Sequence, residues 1–346
     1  MIVIMRTDAT RDEISGVTAT IRDLGLRAQR ISGNQRTAIG MTGDVSNVDE
    51  SRFRALPGVR DVVQMTQPFK LVSREWKPDT TVVEVAEGIS FGGNSIPIIA
   101  GPCSVESEEQ ITEAALEVRA AGATLLRGGA FKPRSSPYSF QGLGVPGLEM
   151  LARASERSGL PVVTEAVDPE GIAIVSEYAD VVQIGARNMQ NFSLLKRAGD
   201  IDKPILLKRG LASTIVELLL SAEYIAASGN DRIILCERGI RGFDTSVRNV
   251  FDLTSIPVVQ SLSHLPIIAD PSHGTGFREY VPRMALAAIV AGADGLMVEV
   301  HPDPVRAVSD GAQSLYPAQL AKLIAQAREI IPTIGREVTQ LDAAVA

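Results

Sequence analysis

The amino-acid sequence predicts an α/β protein, a (β/α)8 TIM barrel preceded by a small ferredoxin-like α+β domain. Three observations carry this. From Pro97 onward, eight short, nearly continuous apolar runs alternate with helix-compatible segments. The first 66 residues follow the order β-α-β-β-α-β instead. Finally, 346 residues suit one barrel of about 250 residues with one small unit in front of it.

The N-terminal unit is predicted to span residues 1–66. Ile2 to Met5 reads as a strand. Thr10 with Glu13 three positions later forms a capping box that opens a helix. Ile14, Val17, Ile21 and Leu24 recur at helical spacing, and Gly25 stops the run. Strands follow over Arg27 to Ile31 and Thr37 to Met41, parted by Gly33 and Asn34. A short helix from Val48 to Leu56 and a strand from Val59 to Met65 complete the pattern.

Residues 67–96 read as a connector. Its polar, proline-punctuated start predicts a linker, and Thr81 to Phe91 predicts a β-hairpin turning near Glu87-Gly88. Residues 97–346 hold the barrel. The predicted strands are Ile98–Gly101, Thr124–Arg127, Val162–Glu165, Val181–Gly185, Ile205–Lys208, Ile233–Glu237, Ile267–Asp270 and Leu296–Glu299. Continuous apolar runs of this kind suit parallel strands buried on both faces. Segments such as Ser107 to Ala121, Ser213 to Ser228 and Val281 to Ala291 supply helices. A doubly wound sheet would alternate similarly, but no G-x-G-x-x-G follows the first strand.

Composition narrows the function classes. Hydrophobic residues make up 45% of the chain, ample for a large core, and the net charge of −7 argues against a general nucleic-acid surface. Two cysteines, Cys103 and Cys236, make no disulfide framework. The apolar run at Met1 is too short for a signal peptide or membrane span, so a cytoplasmic protein without membrane contact is expected.

Barrel active sites gather at the C-terminal ends of the strands. Here the first strand leads to Cys103, and the second to Arg127, Lys132 and Arg134. The third ends at Glu165, the fourth precedes Arg187, and the fifth carries Lys208 and Arg209. Glu237-Arg238, Asp270 with His273, and Glu299 with His301 close the sixth, seventh and eighth. Six cations, Arg127, Lys132, Arg134, Arg187, Lys208 and Arg238, converge on one rim of an acidic protein. Rim carboxylates would account for one or two; an anionic ligand is needed for the rest. Cys103, His273, Glu299 and Asp310 offer metal-capable donors, with His301 in reserve, but their spread is too wide for a spacing motif. Cys236, inside an apolar strand, is expected to pack, and His264, on the opposite rim, to be structural.

These strand ends resemble those of the DAHP (3-deoxy-D-arabino-heptulosonate 7-phosphate) synthase family. The likeness rests on IIAGPCSVES (98–107), LLRGGAFKPRSSPYSFQGLG (125–144), VVTEA (162–166), VQIGARNMQN (182–191), LLKRG (206–210), ILCERGIRGF (234–243), ADPSHGTG (269–276) and VEVHPDPVRAVSDGAQSL (298–315). It covers essentially the whole barrel, and the N-terminal unit resembles the regulatory extension of one subgroup.

The resemblance implies condensation of phosphoenolpyruvate with erythrose 4-phosphate, which opens the shikimate route to aromatic amino acids. It implies a divalent metal ion, manganese first, with iron, cobalt, zinc or cadmium as alternatives, held by Cys103, His273, Glu299 and Asp310. Phosphoenolpyruvate would lie against Arg127, Lys132, Arg187, Lys208 and Arg238, with Asp270 in the same substrate site. The aldose phosphate would lie near Arg134 and Ser135, where the family often has Thr. Lys132 would donate a proton to the developing alkoxide, and Glu165 or a metal-bound water would manage the attacking water. An aromatic amino acid effector, tyrosine or phenylalanine, bound by the N-terminal unit, and a homo-oligomer, a tetramer, are further implications of the resemblance. The nearest rival is 3-deoxy-manno-octulosonate 8-phosphate synthase, which generally has an Asn-containing loop in place of Lys132-Pro133-Arg134 and lacks the N-terminal unit. A Schiff-base aldolase using Lys208 and a non-catalytic phosphosugar sensor are the readings from other classes.

Overall fold

A computed structural model of the chain describes residues 1–32, 37–43, 45, 48–133, 136 and 138–341. The expected turn at Gly33-Asn34, together with Arg134 and Ser135, lies outside the described residues. The chain forms two compact units, Met1–Asp79 and Thr80–Ala346.

The first unit is built from β1 (Ile2–Met5), α1 (Arg11–Asp23), β2 (Arg27–Ser32), β3 (Thr37–Thr42), α2 (Glu50–Arg54) and β4 (Val59–Val63). Its antiparallel sheet has the order β2-β3-β1-β4, as the ferredoxin-like pattern requires. The Thr10 capping box is present: Thr10 Oγ1 accepts from the Glu13 N–H, and Glu13 Oε2 accepts from the Thr10 N–H at 2.8 Å. Ile14, Val17 and Ile21 then face Val3, Met5, Ile39 and Phe53 in the core. The second helix is shorter than expected because Asp49 caps it, accepting the Ser51 N–H at 2.9 Å.

The polar stretch after residue 67 is more than a tether. Phe69, Val72 and Trp76 are buried, and the Trp76 ring lies directly over Gly40 of β3. A Cβ at Gly40 would stand 1.7 Å from that ring, so the strand needs glycine there. Three apolar residues without periodicity gave no sequence signal for this packing.

The second unit opens with the hairpin β5 (Val83–Ala86) and β6 (Ile89–Phe91), turned at Gly88, followed by β7 (Ser95–Ile96). Eight parallel strands then close a barrel: β8 (Ile98–Gly101), β9 (Leu125–Arg127), β10 (Val162–Ala166), β11 (Val181–Ile184), β12 (Ile205–Lys208), β13 (Ile233–Glu237), β14 (Ile267–Ala269) and β15 (Leu296–Glu299). Between them run α3 (Glu108–Ala121), α4 (Val145–Ser158), α5 (Gly171–Tyr178), α6 (Phe192–Gly199), α7 (Ile215–Ser228), α8 (Ser255–Leu262), the single turn α9 (Pro271–Thr275) and α10 (Val281–Val290). After β15 come α11 (Pro317–Ile330) and β16 (Glu337–Val338), which pairs with β7.

The hairpin plugs the N-terminal mouth of the barrel. Val83, Ile89 and Phe91 join Ile99, Leu125, Leu206, Ile234, Cys236 and Met297 in one buried cluster. His264 fastens this end: its Nδ1 lies 2.8 Å from Thr81 Oγ1, and its carbonyl accepts the Thr81 N–H at 2.7 Å. Both Cys236 and His264 are thus structural, as expected. With one mouth filled by apolar side chains, polar chemistry is confined to the other. Among the described residues, no helix is long and apolar enough to cross a membrane.

Candidate active site

The site begins where β8 ends. Gly101 has φ +147°, and a Cβ there would lie 2.1 Å from the Arg127 carbonyl oxygen, so only glycine allows β8 and β9 to meet this closely. Pro102 and Cys103 follow, with Cys103 only 2% exposed. Its thiol donates to Asp310 Oδ2 at 3.2 Å. Lys132 reaches in from the loop after β9, its Nζ donating to the Cys103 carbonyl at 2.8 Å and lying 3.1 Å from Sγ. Burial first, then the Glu299 carboxylate, push the Cys103 thiol up to about 11, outweighing Lys132.

Glu299 closes the cluster from the end of β15. One ligand atom each from Cys103, Glu299 and Asp310 lie within 4.8 Å of one another. Asp310 is the one non-glycine residue with positive φ (50°) among the described residues, so strain is concentrated at a cluster member. His273 does not join this three-residue group. Its Nε2 instead stands 3.3 Å from Glu299 Oε1, while Nδ1 lies 2.8 Å from Asp270 Oδ2. A thiol, two carboxylates and an adjacent imidazole suit a divalent transition ion, and Cys103, Glu299 and Asp310, with His273 beside them, are the residues that would hold it.

A continuous chain of buried charge runs through the site. Arg127 Nη1 donates to Glu299 Oε1 at 2.7 Å, His273 bridges Glu299 and Asp270, and Lys208 Nζ donates to Asp270 Oδ2 at 2.5 Å. Burial would raise the Glu299 carboxyl, but His273 and Arg127 outweigh it and hold it at about 2. Asp270 is likewise held well below the usual carboxylate range by His273 and Lys208 against burial. Burial lowers the His273 imidazole despite both carboxylates, which favours the neutral, ligating form.

Two of the six expected cations are therefore neutralised by buried carboxylates. Lys132, Arg187 and Arg238 have no such partner among the described residues. Arg238 is buried with its Nη1 on its neighbour's carbonyl, Gly239 O, at 3.3 Å, and burial lowers its guanidinium. Arg187, on the turn after β11, has no hydrogen-bond or ion-pair partner among the described residues. Together with Lys132 they line one cavity that also borders Arg127, Lys208, Glu165, His273 and Asp310. Arg209, by contrast, is tied to Glu237 at 2.9 Å and Asp252 at 2.8 Å, outside the cavity lining.

Glu165 enters the cavity from β10, its Oε2 accepting from Gln183 Nε2 at 3.2 Å. A Cβ on Gly185 would lie 2.0 Å from Glu165 Oε1, so the glycine makes room for the carboxylate. His301 stands apart. Its Nε2 is 3.5 Å from Glu106 Oε2, and its Nδ1 accepts the Asp303 N–H at 3.0 Å.

Reading strand ends missed three participants. Arg248 lines the cavity from the long loop after β13, its Nη1 3.4 Å from Asp310 Oδ1. Gln183 and Gln313 carry no charge and escaped a scan for ionisable groups. In-register placement of Gln183 one strand over from Glu165 was the available signal.

Comparison with known proteins agrees with this geometry. Residues 79–333 match the model of the DAHP synthetase I family, and residues 1–67 match that of the DAHP synthase ferredoxin-like domain. A phospho-2-dehydro-3-deoxyheptonate aldolase of Thermotoga maritima is 47% identical over 338 residues, covering 98% of this chain and 100% of that protein. A 2-dehydro-3-deoxyphosphooctonate aldolase of Nitratidesulfovibrio vulgaris is 37% identical over 236 residues, or 63% of this chain and 85% of that protein. The crystal structure of the Thermotoga maritima DAHP synthase superposes with a TM-score of 0.78 at 46% identity, covering 97% of this chain and 98% of that one. A truncated form of the same synthase gives 0.72 at 47% identity, covering 78% of this chain and 98% of that one.

Proposed function

The chain belongs to the DAHP synthetase I family and acts as a DAHP synthase, and we propose that the rim residues described above divide the work of that reaction. Phosphoenolpyruvate, erythrose 4-phosphate and water give DAHP and inorganic phosphate, the first step of the shikimate pathway. One observation carries the assignment of roles: Lys132, Arg187 and Arg238, which have no buried carboxylate partner, line the same cavity as His273 and as Asp310 of the thiol–carboxylate cluster.

Arg127, Lys132, Arg187, Lys208 and Arg238 bind phosphoenolpyruvate through its carboxylate and phosphate. Arg127 and Lys208 are held in place by Glu299 and Asp270, so little ordering entropy is lost when the substrate arrives. Arg187 and Arg238 supply the positive charge that its phosphate requires. Arg134 and Ser135 take the aldose phosphate.

Cys103, Glu299 and Asp310, with His273 beside them, would hold a divalent metal, manganese first. Such an ion would supply Lewis-acid polarisation of the aldehyde carbonyl. The enol carbon of phosphoenolpyruvate then bonds to the aldehyde carbon, leaving positive charge at the phosphate-bearing carbon. Lys132 Nζ gives a proton to the new alkoxide. Glu165 takes a proton from the water that adds at the cationic carbon, and phosphate leaves with C–O cleavage.

The ferredoxin-like unit binds an aromatic amino acid and confers feedback control, and the working form is a homo-oligomer. Phosphate release with manganese, phosphoenolpyruvate and erythrose 4-phosphate tests the catalytic reading; its absence would sink it. Tyrosine and phenylalanine should inhibit the full chain but not a chain beginning at Thr80. Inhibition that survives truncation would move the effector site to the barrel.

A further inference from the structure

We propose that Gln313 is a positioning residue that locks the Glu299 carboxylate and the Arg248 guanidinium into one unit. The inference rests on the reading of Glu299 as a metal ligand.

Gln313 sits in the loop between β15 and α11 and is 2% exposed. Its Nε2 donates to Glu299 Oε2 at 2.7 Å, and its Oε1 accepts from Arg248 Nη1 at 2.7 Å. Its backbone N–H reaches the Asp310 carbonyl at 3.2 Å, so the strained turn at Asp310 fixes where the amide starts. A carboxylate only accepts hydrogen bonds and a guanidinium only donates them. The amide alone among neutral side chains of this length offers one donor end and one acceptor end. Its orientation is thereby set by its partners.

The consequence for Glu299 is immobility. Oε1 is held by Arg127 at 2.7 Å and faces His273 at 3.3 Å, while Oε2 is held by Gln313. Three groups from separate segments fix both oxygens, and the carboxylate cannot rotate away from Cys103 and Asp310. Arg248 is fixed at the same time, since it also reaches Asp310 Oδ1 at 3.4 Å and lines the cavity. The metal ligands and a substrate-facing cation thus share one hydrogen-bonded brace. Groups that orient ligating carboxylates typically change metal affinity by about 10–100-fold when removed.

The test is a titration of metal-free, full-length protein with Co2+, followed by the thiolate-to-cobalt charge-transfer absorption. Gln313→Met keeps the length and removes both hydrogen bonds. It should bind Co2+ about 10–100-fold more weakly than wild type, while the metal-free melting temperature reports folding separately. Gln313→Asn keeps an amide that is too short to span both partners, and it carries the same expectation if the Met variant does not fold. Wild-type Co2+ affinity in a folded variant overturns the inference. Cys103→Ala runs alongside. If wild type lacks the thiolate band, or Cys103→Ala keeps it, the metal reading itself falls; a normal band with unchanged affinity in the Gln313 variants removes Gln313 alone.

Discussion

Arg127 and Glu299 meet across the strand that separates them, Nη1 2.7 Å from Oε1, both buried at the end of the barrel. One belongs to the expected anion-binding set and the other to the expected metal set, so the two sets are in direct contact. Removing one partner strands a buried charge, which typically costs 3–5 kcal/mol. Arg127→Ala should therefore lose roughly that much stability in urea unfolding, and phosphate release should stop. Arg153→Ala, which breaks an exposed pair with Glu108, is the control and should unfold like wild type. An Arg127→Ala protein as stable as the control would contradict the role given to the buried pair.

Acid should separate Glu299 from other carboxylates. Its folded-state value, held at about 2, lies below the ordinary 4.5, so its contribution is present above about 4.5 and lost as pH falls toward 2. The shift corresponds to something on the order of 3 kcal/mol in metal-free protein. Glu299→Gln removes this contribution while Asp270 keeps its own. The variant's unfolding free energy should vary less steeply between pH 5 and pH 2, and parallel curves would refute the assignment.

Metal uptake should release a proton. With the Cys103 thiol at about 11, the metal-free protein carries a neutral thiol at neutral pH. Ligation needs the thiolate, so apparent affinity should climb about tenfold per pH unit below that value. His273, lowered by burial, is already neutral and adds little to this slope. Calorimetry in buffers of different ionisation enthalpy should count about one proton per ion, and none in Cys103→Ala. A chelator should abolish turnover, with manganese restoring it in wild type only.

Gly185 gives access to Glu165 without touching its chemistry. A methyl group there would stand 2.0 Å from Oε1, and the carboxylate, at the end of a flexible side chain, should swing aside. Gly185→Ala should thus fold normally yet lose kcat by about 100-fold, as should Glu165→Gln. Full activity in Gly185→Ala would exclude a role for the carboxylate in its present position.

The first unit has its own reporter, because Trp76 is the single tryptophan in the chain. Gly40→Ala forces a methyl group into that ring and should cost about 1–3 kcal/mol in this unit. The tryptophan fluorescence transition should move to lower denaturant accordingly. An unshifted transition would mean that the ring does not rest on β3.

Much of the protein was legible beforehand, for reasons specific to each part. Four barrel strands, among them β8 and β13, fall on the expected bounds, because strands buried on both faces must be apolar throughout. Thr10 and Glu13 marked α1 because capping is a local reaction between residues three apart. Burial of Trp76 on Gly40 was not legible, since a contact between residues 36 positions apart leaves no period to read.

The amino-acid order alone specifies the barrel, its polar rim and the residue types gathered there. It placed Arg127, Lys208, Glu299 and Asp270 at strand ends, where backbone direction alone sends side chains toward one mouth. Packing of the closed barrel settles which cations pair with carboxylates and which stay available to a substrate. It set His273 against Asp270 and Glu299, outside the tight trio of Cys103, Glu299 and Asp310, and brought in Arg248 and Gln313. Pairing depends on distances of a few ångströms between strands that are far apart in the chain. Periodicity fixes which way a side chain points, but what it meets there is settled by how the barrel closes.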